Sequence, residues 1–119
     1  MVPRLHAVAE TQTFVRDAQD AGVSDEARAA MVDAMAADPK GGDEIRGSGG
    51  VRKRRFAGRG KGKSGGYRVL TAYFGEHAPV YALALLSKGE RANFTAAEVA
   101  DLKALTAELS KYWRERRRI

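Results

Sequence analysis

Residues 51–74, VRKRRFAGRGKGKSGGYRVLTAYF, form the stretch that decides the fold. Residues 67–74 are rich in β-branched and aromatic side chains, which favour a β-strand. Residues 51–56 are too charged for a central parallel strand, and we predict a basic strand in an antiparallel sheet. The glycines and lysines of residues 57–66 are typical of a loop. The stretch therefore predicts two strands joined by a basic glycine loop.

The loop partly matches two nucleotide-binding motifs. Gly60, Gly62 and Gly65 have the spacing G-x-G-x-x-G, and residues 57–64, AGRGKGKS, lack only the first glycine of G-x-x-x-x-G-K-[ST]. Both motifs require a buried strand before the loop and a helix after it, because the helix N-terminus supplies the amides that bind phosphate. A charged strand precedes this loop and a second strand follows it. We therefore disfavour a nucleotide site and expect the lysines to meet phosphates by charge.

The distribution of charge points to a polyanionic partner. The net charge is +6, and no acidic residue occurs between positions 45 and 75. Nine basic residues fall in that interval: Arg46, Arg52, Lys53, Arg54, Arg55, Arg59, Lys61, Lys63 and Arg68. A charge run of this kind can simply be a solvated surface. We favour a polyanion-binding surface, because solvated surfaces usually mix both signs.

Length and composition limit the remaining possibilities. A chain of 119 residues with 44% hydrophobic residues predicts a single domain over 1–119 with an ordinary core. The absence of cysteine excludes disulfides and thiolate metal sites. No apolar run is long enough to span a membrane, and the N-terminus lacks the apolar centre of a signal peptide. We therefore expect a cytoplasmic protein without membrane contact.

Two helices are predicted before the central stretch. Thr11 or Thr13 can cap the first helix, which ends at Gly22. Ser24 can cap the second, whose apolar stripe includes methionines that we interpret as core residues. Asp38 precedes a proline, which disfavours helical backbone, so the second helix should end there.

The other elements complete an α+β domain. Residues 4–8 are predicted to form a short first strand, and residues 80–87 a strand that follows a hairpin. Residues 95–98, TAAE, form a capping box that begins a C-terminal helix, and residues 114–119 are expected to be a frayed basic tail. The predicted order is β-α-α-β-β-β-α. It describes a small antiparallel sheet packed against two N-terminal helices and one C-terminal helix.

This order and several motifs together resemble the RelE/ParE superfamily of bacterial toxins, and within it the HigB branch. The motifs are DP at 38–39, GD at 42–43, IRG at 45–47, GGVRKRR at 49–55, GKGK at 60–63, GGYRV at 65–69 and LSKGE at 86–90. The resemblance covers about residues 11–110. It implies a RelE-like fold and the toxin of a type II toxin–antitoxin system that cleaves mRNA on the ribosome. The implied partners are the ribosome, mRNA and a HigA-like helix-turn-helix antitoxin, with DNA contacted only through that antitoxin.

The resemblance also implies which residues cleave RNA. Basic residues on two strands do so in the family, and the matching positions here are Lys53, Arg55 and Arg68. Lys88 is a fourth match, although Gly89 replaces the asparagine that commonly follows it. Some family members use a tyrosine on the last helix, and no tyrosine occurs near Phe94.

The residues themselves are compatible with this chemistry. RNA supplies its own nucleophile, the 2′-hydroxyl, so cleavage needs a base and positive charge at the phosphate. Lys53 is the candidate base, because nearby cations favour a neutral amine whereas arginine holds its proton too tightly. Arg55 and Arg68 would stabilise the developing charge. Residues predicted to bind RNA are Arg52, Arg59, Lys61, Lys63 and Tyr67, although Tyr67 fits a core position at least as well. No cofactor is expected, and no histidine or carboxylate cluster suits a metal.

Three alternatives remain open from the sequence. A ParE-like inhibitor of DNA gyrase belongs to the same superfamily but would not need three cations on one surface. A nucleic-acid-binding module without catalysis would have much the same sequence features. A ribosomal or phage protein with a solvated basic loop is the third alternative, and it is disfavoured because the resemblance covers most of the chain.

Overall fold

The computed structural model describes residues 5–58, 62–87 and 94–116, and the side chains of residues 58 and 62–65 are outside this description. The elements are β1 Val8–Glu10, α1 Gln12–Asp20, α2 Asp25–Ala37, β2 Asp43–Glu44, β3 Val51–Gly58, β4 Gly62–Ala72, β5 Val80–Ser87 and α3 Ala96–Arg116. They form one five-stranded sheet with the order β1-β5-β4-β3-β2. The predicted α+β class is confirmed.

The sheet is mixed: the predicted antiparallel sheet comprises β2 to β5, and β1 adds a parallel strand at its edge. Strands β2 to β5 pair antiparallel with their neighbours, but β1 pairs parallel to β5, with Val8 opposite Val80. Between β1 and β5 the chain passes through α1, α2 and strands β2 to β4, and β5 then runs in the same direction as β1. Such a long connection permits a parallel pair, which a tight hairpin cannot form.

Local signals placed the helices well. The Thr11 hydroxyl accepts a hydrogen bond from the Phe14 N–H at 3.2 Å, and Ser24 caps α2 in the same way. In the capping box, the Glu98 N–H donates to the Thr95 hydroxyl, and the Thr95 N–H donates to the Glu98 carboxylate. The three predicted helix starts are therefore confirmed, with Thr11 rather than Thr13 as the first cap.

Several boundaries differ from the prediction. The first strand is Val8–Glu10 instead of residues 4–8, and α3 continues to Arg116, into the segment predicted to be a frayed tail. Strand β3 continues to Gly58 and β4 begins at Gly62, so most of residues 57–66, which were predicted to form a loop, belong to these two strands. The two-residue β2 was missed, because two exposed acidic residues carry no strand signature.

Each face of the sheet covers its own core. On one face α1 and α2 pack Phe14, Met31 and Met35 against Val69 and Val80, so the methionines are core residues as predicted. On the other face, a second cluster contains the buried residues Val51, Leu70, Ala72 and Leu83, with Leu102 and Leu109 of α3 packed against it.

Two polar contacts fix α3 over the second cluster. The buried Thr106 hydroxyl donates to the Ser48 carbonyl at 3.1 Å, just before β3. Toward the end of α3, the Trp113 indole N–H donates to the Tyr81 hydroxyl at 2.8 Å. Gly49 allows the close approach, because it has φ +79° and a Cβ there would lie 2.5 Å from the Thr106 hydroxyl oxygen. Helix α3 therefore lies over Val51 at the start of β3.

Candidate functional site

Three cations share the face of the sheet that also carries α3. Side chains alternate along a strand, so Lys53 and Arg55 follow the buried Val51 on this face at every second position. Arg55 pairs directly with Arg68 on β4, and Lys53 pairs with Leu70, a member of the second core cluster. Directly paired residues of neighbouring strands have their side chains on the same face. We call the surface formed by Lys53, Arg55 and Arg68 the cationic face.

Arg68 has an unusual environment. Its side chain is partly buried, and its Nε atom is buried without a hydrogen-bond partner, the only such side-chain nitrogen or oxygen within the described residues. A buried donor left unpaired costs about 1–3 kcal/mol, and more when it is charged. The guanidinium therefore has hydrogen-bonding capacity that the protein leaves unused, and Nε itself is enclosed by the surrounding chain.

The structure adds two carboxylates that the sequence reasoning missed. Strand β2 places Asp43 directly opposite Lys53 and Glu44 opposite Arg52, and both acidic residues are exposed. By the pairing rule, Asp43 lies on the side of the cationic face and Glu44 on the other side. Gly42 allows this approach, since it has φ +100° and a Cβ there would lie 2.9 Å from the Lys53 carbonyl oxygen.

Arg52 and Arg54 lie on the opposite face of β3. Arg54 donates to two carbonyls at the end of α2, Asp38 at 2.5 Å and Ala34 at 2.9 Å. It thus caps the helix C-terminus, where a positive charge is favourable. Arg52, predicted to bind RNA, donates to the Gly42 carbonyl at 3.3 Å. The structure does not bring Arg52 together with the cationic face.

The other predicted RNA-binding residues are dispersed. Tyr67 pairs with Phe56 and Ser87 and packs partly buried against the α1/α2 core, on the face opposite Arg68. Lys63 lies within β4 instead of on a loop, and its side chain is outside the described part. Arg59, Lys61 and Lys88 also lie outside the described residues.

Neither histidine lies on the cationic face. His6 has its Nε2 atom 2.6 Å from the carbonyl of Ala78, at the end of the sheet where β5 begins, and His77 is exposed in the turn after β4. In the described ranges, no three histidine, aspartate or glutamate side chains are grouped to hold a metal. None of the helices in those ranges is long and apolar enough to cross a membrane.

A shallow cavity between β1 and α2 has the wrong charge for a polyanion. Its volume is about 190 Å³, and its lining includes Glu10, Asp25, Asp33 and Arg28. Arg28 pairs with Glu10 at 3.0 Å and lies 3.9 Å from Asp25, so three carboxylates of the lining share one cation. A phosphate chain would be repelled there. The cationic face is therefore the better candidate site.

The chain matches a known protein family over most of its length. A family model described as the RelE toxin of the RelE/RelB toxin–antitoxin system matches residues 6–117. The chain belongs to the RelE toxin family. The matched residues include all five strands of the sheet and helix α3, and therefore the whole cationic face. Membership in the RelE family implies that the chain is the toxin of a toxin–antitoxin system and has an antitoxin partner.

Proposed function

We propose that this RelE-family toxin is an endoribonuclease that cleaves mRNA on the ribosome and so inhibits translation. The observation that carries the proposal is the cationic face, where Lys53, Arg55 and Arg68 meet on two paired strands. The two arginines support it, because the guanidinium geometry matches a phosphate and can bind it through two parallel hydrogen bonds.

In the proposed reaction Lys53 is the base that removes the proton of the RNA 2′-hydroxyl. The 2′-oxygen attacks the adjacent phosphorus, and the bond from phosphorus to the 5′-oxygen breaks. The products are a 2′,3′-cyclic phosphate and a 5′-hydroxyl, whose proton comes from solvent. Arg68 and Arg55 stabilise the negative charge that develops on the phosphate oxygens, a contribution of about 100- to 1,000-fold for a single donor. No metal ion takes part in this scheme.

The remaining parts of the proposal follow the family. The motif at 49–55 and the following lysines support the HigB branch and a HigA-like helix-turn-helix antitoxin, which alone would contact DNA. Lys88 would be a fourth catalytic residue, and Arg59, Lys61 and Lys63 would hold the RNA or ribosomal RNA backbone by charge. Cleavage during translation places the protein in the cytoplasm.

The test is to map mRNA 5′ ends after incubation with the purified toxin, with and without translating ribosomes. Free RNA is also incubated with a chelator. Lys53→Ala and Arg68→Ala are compared with Arg114→Ala, an exposed cation on α3. We expect ribosome-dependent cuts that disappear in the first two variants and persist in the third.

Two other outcomes would redirect the assignment. No cuts under any condition would contradict the nuclease, and inhibition of purified DNA gyrase would then indicate a ParE-like toxin. RNA binding without cuts would indicate a non-catalytic module. Cuts that persist in Lys53→Ala and Arg68→Ala would support a nuclease whose active site lies outside the cationic face.

A further inference from the structure

Leu86 continues the row of side chains that starts with the two arginines. Arg55 pairs with Arg68, and Arg68 pairs with Leu86 on β5. The three side chains therefore lie side by side on one face, with neighbouring strands about 4.8 Å apart. The row changes from cationic on β3 and β4 to apolar on β5.

Leu86 differs from the other apolar residues of β5. Val80, Ala82 and Leu85 belong to the α1/α2 core, and Leu83 and Ala84 belong to the α3 cluster. Leu86 is partly buried and belongs to neither cluster of the described chain. Its side chain is thus an apolar surface beside Arg68 that does not serve either core.

We propose that Leu86 forms a nucleobase subsite next to the phosphate held by Arg68. This inference rests on the proposed function. A nucleotide is a phosphate joined to a flat apolar-faced base, and the row offers a cation and an apolar side chain in adjacent positions. Contact with the face of a base does not read its hydrogen-bonding edge. The subsite therefore adds affinity for any base and little sequence preference.

The test measures binding separately from cleavage. The probes are a 2′-O-methyl RNA hexamer, which cannot be cleaved by its own 2′-hydroxyl, and the matched sugar–phosphate hexamer without bases. Both are titrated into the full chain and into Leu86→Ala, Leu86→Met and Arg68→Ala. Thermal unfolding of each variant is recorded, and Leu86→Ala should unfold close to the wild type because Leu86 lies outside both cores.

We expect Leu86→Ala to bind the base-containing hexamer about 5- to 10-fold more weakly than the wild type. Its affinity for the hexamer without bases should not change. Leu86→Met, which keeps the apolar volume, should bind both probes like the wild type, and Arg68→Ala should lose affinity for both probes equally.

Any other pattern overturns the subsite. Equal binding of Leu86→Ala and the wild type to both probes would show that no base contacts this residue. An equal loss on both probes would show that Leu86 only supports Arg68. Mapping of cuts made by the wild type on ribosomes tests the nuclease activity independently. A base-dependent effect of Leu86→Ala in a protein that makes no cuts would therefore support the subsite and contradict the proposed enzyme.

Discussion

Arg54 and Arg55 are neighbours in the chain, yet they lie on opposite faces of β3 and have different surroundings. Arg54 donates to the Asp38 and Ala34 carbonyls and closes the end of α2. Arg55 is exposed and pairs across the sheet with Arg68, whose Nε has no acceptor. Alternate positions of one basic strand therefore have different surroundings, and we propose a ligand for one set only. The Arg54 guanidinium is thus bonded to carbonyls at the end of α2, whereas the buried Nε of Arg68, across from Arg55, has no acceptor within the described residues.

We expect the largest effect from replacing Lys53, which distinguishes a role as a positive charge from a role as the base. Lys53→Arg keeps the positive charge but removes the only one of the three cations able to act as a base. We expect cleavage on ribosomes to fall roughly 100-fold while binding of an uncleavable RNA is retained, measured by single-turnover cleavage and by titration. Lys111→Arg, on the exposed side of α3, is the control and should cleave normally. A normal rate for Lys53→Arg would mean that charge alone is needed.

Replacing Tyr67 tests whether the α1/α2 face of the sheet, opposite the cationic face, contributes to RNA binding. Its partly buried ring packs against the α1/α2 core, so Tyr67→Ala should lower the free energy of unfolding by about 2–3 kcal/mol. The protein that remains folded should bind the uncleavable hexamer as tightly as the wild type. Urea denaturation and titration at low temperature measure the two quantities. Weaker binding by fully folded Tyr67→Ala would restore the predicted role of Tyr67 in stacking on a base.

Replacing Arg54 tests whether the α1/α2 face of the sheet stabilises the protein. Arg54→Ala removes two charged hydrogen bonds from the end of α2, and we expect it to lower the free energy of unfolding by about 1–2 kcal/mol, given their partial exposure. Arg52→Ala is the control, since it loses one 3.3 Å bond to Gly42, and should change stability by less than about 0.5 kcal/mol. Loss of cleavage by folded Arg54→Ala would contradict the division between the two faces.

The smallest expected effect concerns the two carboxylates of β2. Asp43→Asn removes a negative charge opposite Lys53, so RNA should bind about 2- to 3-fold more tightly at low salt, with a steeper salt dependence. Glu44→Gln, the neighbouring carboxylate on the other side of the same strand, should have a weaker effect. Titrations of the uncleavable hexamer at several salt concentrations measure the difference. Equal changes in both variants would show that the RNA responds to net charge and does not distinguish the faces.

The sequence was sufficient for features that depend on near neighbours in the chain. Helix caps at Thr11 and Ser24 and the capping box at residues 95–98 bond groups only three residues apart, so the pattern contains the whole interaction. Strand alternation likewise placed Lys53 and Arg55 on one face. The α+β class and the family followed from the order of these elements and from the basic motifs, and the family match confirms them.

Only the tertiary structure decided features that depend on distant residues. The parallel pairing of β1 with β5 joins segments about seventy residues apart, and β2 forms only because Asp43 and Glu44 meet β3. The capping of α2 by Arg54 also joins separate segments, over 16 and 20 residues. Whether a cation serves stability or a ligand depends on which acceptors the fold brings within reach, and register between strands is set by packing of the whole sheet. The sequence therefore determined the strand and its charges, and the fold determined which of those charges bond the end of α2.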